Sequence, residues 1–144
     1  MKKLMTILLS IIVLGCVFTG CSKDYNKGIE IIKEENPEMT ADITFNEEDK
    51  TYVVTVESGT SKDVNNVVSG INSGLISAET VKKCVGWYDL IDTFKSLSID
   101  MLTTLKADGY DDVSVCIKIV TEDNSHLDQL IVTNGVVTYD VYEQ

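Results

Sequence analysis

The chain has 144 residues and carries 23 acidic side chains against 12 lysines, with no arginine, for a net charge of −11. Binding nucleic acid or anionic headgroups means neutralising phosphates with lysine and arginine, so neither is expected. The length suits one domain, and a chain of this size buries about two-thirds of its unfolded surface.

The first twenty residues differ in kind from the rest. Lys2 and Lys3 give a positive start, and Leu4 to Ser22 is then a run of 19 uncharged residues. A positive start, an apolar run and a small-residue exit form the layout of a secretory signal, although the run also has the length of a membrane span. It ends in Phe18-Thr19-Gly20-Cys21-Ser22, which resembles the lipobox of bacterial lipoproteins. That resemblance implies a Cys21 thiol carrying diacylglycerol, cleavage before Cys21, and frequent acylation of the new N-terminus. Two or more chains anchor stably where one is marginal.

Val13-Leu14-Gly15-Cys16 fits the same pattern. Cys21 is favoured because it leaves an apolar stretch near the usual signal length and because polar Ser22-Lys23-Asp24 follows at once. The expected organisation is a signal peptide over 1–20, the lipidated Cys21 and a short tether over 21–28, and one α+β domain over 29–144. The expected location is the cell membrane, lipid-anchored on its extracytoplasmic face. Loss of Lys2 and Lys3 leaves ten lysines against 23 acids, a net charge of −13.

Asp24 to Glu35 reads as a short amphipathic helix with Ile29, Ile31 and Ile32 apolar, stopped by Asn36-Pro37. Ala41 to Glu57 reads as a β-hairpin turning at Glu48-Asp49. That register pairs Phe45 with Tyr52, Ile43 with Val54 and Ala41 with Val56 on one face. Val64, Val67, Val68 and Ile71 suggest a further short helix, broken at Ser73-Gly74. Residues 79–107 read as one long helix, with Trp87, Leu90, Ile91, Phe94, Leu97, Met101, Leu102 and Leu105 in a continuous stripe and Gly109 as the stop.

Val113 to Thr121, Leu127 to Thr133 and Val136 to Tyr142 read as a three-strand antiparallel meander, with Asn134-Gly135 as a hairpin turn. Turns at Asp123-Asn124 and Asn134-Gly135 give the rows Val115–Val132–Val137 and Ile117–Leu130–Tyr139 on the core face. The other face is mostly polar, and so half-solvated. The expected fold is therefore α+β: an antiparallel sheet, made of the N-terminal hairpin and the C-terminal meander, with one long helix packed on one face. This layout resembles that of small extracytoplasmic lipoproteins of low-GC Gram-positive bacteria, a resemblance that brings no catalytic residues.

The chemistry-bearing residues are sparse. His126, the one histidine, falls beside a turn, some 17 Å by strand spacing from Cys116 and on the opposite face, so no nucleophilic pair is expected. Cys84 lies off the apolar stripe and Cys116 on the sheet face turned from that helix, so the two are expected to be unpaired. The acids near Asp108 lack the alternation and central Gly of an EF-hand loop. No P-loop, nucleophile elbow, zincin or C-x-x-C motif occurs. No cofactor or metal is expected, and Trp87 reads as core.

One feature is left over. Val120, Leu127, Ile131 and Tyr142 place an apolar patch on the otherwise polar sheet face, a possible partner contact. The expectation is a non-catalytic binding module, attached to the membrane through its lipid and engaging an envelope or extracellular protein. A protective or inhibitory envelope lipoprotein and an acid-pair hydrolase are the alternatives.

Overall fold

The computed structural model describes residues 23–143; the signal segment and Cys21 lie outside the described residues. The first helix, α1 (Tyr25–Glu35), starts where the Asp24 carboxylate accepts from the Asn26 N–H and stops at Asn36. Strands β1 (Asp42–Asn46) and β2 (Thr51–Glu57) form the expected hairpin, with Phe45 opposite Tyr52 and Ile43 opposite Val54. Helices α2 (Ser61–Asn72) and α3 (Ala78–Cys84) are each opened by a hydroxyl cap, Thr60 and Ser77. Helix α4 (Trp87–Ala107) follows, then β3 (Ser114–Val120), β4 (Asp128–Thr133), β5 (Val136–Asp140) and a closing 3-10 turn, Val141–Glu143.

The expectation of a purely antiparallel sheet under one long helix is corrected twice. All five strands join one mixed sheet in the order β1-β2-β3-β4-β5, because β2 and β3 pair in parallel. Parallel neighbours need a long crossover, and α2, α3 and α4 supply it. The central strand, β3, is the most buried, with Val115, Cys116, Ile117, Ile119 and Val120 all covered. The helix read over 79–107 is two helices, α3 and α4, broken at Val85-Gly86, where Gly86 takes a left-handed φ of 67°. At the other end of α4, Gly109 (φ 90°) closes a Schellman motif: its N–H donates to the Lys106 carbonyl, and the Tyr110 N–H to Leu105.

The strand registers are corrected as well. Asn134 and Gly135 both have positive φ and set Val132 opposite Val137, as expected. A bulge at Thr138 then places Tyr139 opposite Ile131 and Asp140 opposite Leu130, so Tyr139 leaves the core face. Between β3 and β4 the true pairs are Ile117–Val132 and Ile119–Leu130, two residues from the expected rows. A slip of two keeps every side chain on its own face. The cause is local: the turn is closed by the Thr121 N–H on the Leu127 carbonyl (3.0 Å), and Gln129 is extruded as a bulge.

The core lies between the sheet and helices α1 and α4. Ile32, Met101 and Leu105 pack on Tyr52, Val54, Val115 and Ile117, and Trp87 packs on Ile119, Leu130 and Val132. Phe94 contacts both groups, so the α4 stripe is continuous with the core. The domain begins earlier than residue 29. Gly28 is buried in α1 because a β-carbon there would meet the Tyr52 hydroxyl at 2.0 Å, so the stretch read as tether is already folded from Tyr25. No helix among the described residues is long and apolar enough to cross a membrane.

Candidate functional site

Strand alternation divides the sheet into a face under α1 and α4 and an outer face. The principal contacts of α2 and α3 run to the 3-10 turn and to α4, and none of these principal contacts is with a strand. Two outer rows follow from the registers: Val53–Cys116–Thr133–Val136 and Thr55–Lys118–Ile131–Tyr139. Val53, Ile131 and Tyr139 are half-buried, and Val136 is 62% exposed. Ile131, Tyr139 and Val136 lie on β4 and β5 at one edge of the face, and Val53 stands on β2.

One margin of this surface is a groove of ≈ 790 Å³ lined by Thr40, Asp42, Thr55, Glu57, Glu122 and His126. His126 stands in the β3–β4 turn with φ 42°, its Nδ1 3.7 Å from Glu57 Oε1. Three carboxylates and no lysine line the groove. An exposed pair of this kind adds little stability, but the summed field favours cationic groups.

The four residues singled out as a patch do not form one surface. Val120 is buried on the outer side of β3, Leu127 is half-buried at the turn, and Ile131 is half-buried in the outer rows. Tyr142 is on the opposite side: β5 ends at Asp140, the chain enters the 3-10 turn, and the Tyr142 ring meets Trp87 edge-on at 4.9 Å. Val53, Val136 and Tyr139 take its place. Val53 and Val136 were legible from alternation, whereas Tyr139 was hidden by the one-residue bulge. Cys21 lies outside the described residues.

Apart from Cys84, the remaining reactive groups are buried or engaged in structure. Cys84 is exposed, Cys116 is buried, and both are free thiols. Lys82, only 2% exposed, binds Asp140 Oδ2 at 2.7 Å and Glu143 Oε1 at 2.5 Å. Burial opposes its charge, but the hydrogen bonds to Asp140 and Glu143 prevail and hold the ammonium protonated above the usual lysine range. It is therefore a cation rather than a nucleophilic amine. Asp140 also accepts from Trp87 Nε1 (3.2 Å) and from the Tyr142 N–H (3.0 Å). Asp123 accepts from the Ser125 hydroxyl, from the Ser61 N–H (2.7 Å) and hydroxyl (2.6 Å), and from the Thr121 hydroxyl (2.9 Å). Those donors, Ser125 and Ser61 foremost, hold its carboxyl well below the usual range. Its role is to pin α2 to the β3–β4 turn.

Among the described residues no group of three or more His, Cys, Asp or Glu side chains is arranged to hold a metal ion. No family model, curated protein or solved structure matches the chain.

Proposed function

We propose that this protein is an exported lipoprotein, anchored through Cys21, that works as a non-catalytic binding module for a basic segment of an envelope or extracellular protein. The observation that carries the reading is the outer sheet face, with apolar Val53, Ile131, Tyr139 and Val136 beside the acidic groove of Asp42, Glu57 and Glu122. Apolar contact supplies affinity, and the carboxylates supply partner choice and association rate. The carboxylates with markedly displaced protonation, Asp112 and Asp123, are held in ion pairs and turn hydrogen bonds.

The test is crosslinking and co-purification from the native membrane, with Cys21→Ser as the anchoring control. Glu57→Lys and Val136→Lys are run alongside; both positions are exposed. A partner captured by the wild type and lost by both surface variants fits the reading. A partner captured equally by both variants overturns the outer face as its site. An unlipidated Cys21 in the purified protein, read by intact mass, overturns the anchor.

A further inference from the structure

The start of the described chain is held to the domain by a cluster of contacts. The Tyr52 hydroxyl donates to the Tyr25 carbonyl (3.0 Å) and the Tyr110 hydroxyl to the Asp24 carbonyl (2.8 Å). Lys23 and Lys50 bind the two oxygens of Asp112 at 3.0 and 2.5 Å. The Tyr25 ring stacks on Phe45 at 4.0 Å. Residues 23–25 are thus seated on the β1–β2 turn and on the loop between α4 and β3, where the Ser114 N–H also donates to the Lys50 carbonyl (3.0 Å).

The other end of the molecule is set by α4. Its last turns pack on Tyr52 and Val115, and its first residue, Trp87, on Ile119 and Leu130. A helix of 21 residues is about 30 Å long at the usual rise. The exposed Cys84 and Val85 lie just before Trp87, and so at the end away from Lys23.

We infer that the protein presents one fixed end to the lipid bilayer: the surface of the β1–β2 turn and the α4–β3 loop, carrying Glu47, Glu48, Asp49, Asp108 and Asp111, faces the headgroups, and the Cys84 end points away. The inference rests on Cys21 carrying the lipid. From Cys21 to Lys23 is two residues, which span about 7 Å at most. A tether that short, joined to a clamped residue, cannot let the domain turn over. The strands of the outer sheet face then run away from the membrane, and the acidic groove, at the far ends of β2 and β3 with Glu57 and Glu122, stands at the end away from it.

The orientation is read by energy transfer. Lipidated protein is placed on phosphatidylcholine vesicles containing a headgroup-labelled acceptor lipid. The donor sits either on native Cys84 or on Asp49→Cys in a Cys84→Ser background. Transfer is expected to be strong from position 49 and several-fold weaker from position 84. Equal transfer from both positions on retained protein overturns the fixed end. Failure of the protein to remain on vesicles overturns the lipid anchor, and the orientation with it. Tyr52→Phe with Tyr110→Phe removes the two hydroxyl contacts and is expected to narrow the difference; an unchanged difference overturns their part in the clamp.

Discussion

Lys82 and Gly28 are the residues on which local stability turns. Lys82 is a buried cation matched to buried Asp140. Removing one partner of such a pair strands the other charge, which costs about 3–5 kcal/mol. Lys82→Met should lower the urea midpoint accordingly, and adding Asp140→Asn should recover much of the loss, since Asn still accepts from Trp87 without a charge. Gly28 is in mid-helix, where Ala is ordinarily better by about 1 kcal/mol. Here the new β-carbon runs into Tyr52, and overpacking costs about 1–3 kcal/mol. Gly28→Ala should therefore destabilise, against its helix propensity; a raised urea midpoint would mean that Tyr52 moves aside.

At the scale of elements, α2 depends on a residue far from it in sequence. Asp123 accepts both the backbone N–H and the hydroxyl of Ser61 at the helix start. Loss of a cap of this kind weakens the start of the helix. Asp123→Ala should raise amide exchange over residues 59–72 and at the β3–β4 turn, while the β1–β2 hairpin keeps its protection. Asp123→Asn should fall between the two. Uniform exchange across the sheet in the Ala variant would show that α2 is held by other means. The break between α3 and α4 belongs to this scale too. The apolar stripe starting at Trp87 is periodic, and nothing in that period marks Gly86 as left-handed. The break has a consequence: it frees α3 to carry Lys82 to Asp140 and Glu143, which a straight continuation of α4 has no need to do.

At the scale of the molecule, charge governs how the N-terminal clamp responds to acid. Hydrogen bonds from Lys50 and Lys23 hold the Asp112 carboxyl down to about 2. A carboxylate whose folded value is depressed contributes its full stabilisation above the ordinary value of about 3.9, and loses it as pH falls toward the folded value. The urea midpoints of wild type and Asp112→Asn should differ at pH 5 and converge between about pH 4 and pH 2. A constant gap across that range would mean that Lys23 and Lys50 are held elsewhere. The same carboxylate ties Lys23 to Lys50, so acid is also expected to loosen the segment that leads to Cys21.

The sequence by itself determined what depends on near neighbours. Alternation of Ile43, Phe45, Tyr52 and Val54 set the hairpin, its register and its buried face. Asn134-Gly135 set the second hairpin, and the stripe from Trp87 to Leu105 chose the helix that covers the sheet. The Lys2–Cys21 segment carries the lipoprotein reading with no fold required. Tertiary structure alone decided that β2 lies parallel to β3, since that pairing joins residues about sixty positions apart and leaves no local mark. It also decided the bulges at Gln129 and Thr138, each a single extruded residue whose energy comes from what it then reaches. One lets Gln129 donate to the Ser58 carbonyl; the other turns Tyr139 outward and brings Asp140 to Lys82 and Trp87. Of the candidate outer face, Val53, Ile131 and Val136 are legible from alternation and Tyr139 is not, because alternation assigns a face correctly until one residue is inserted, and then reverses it.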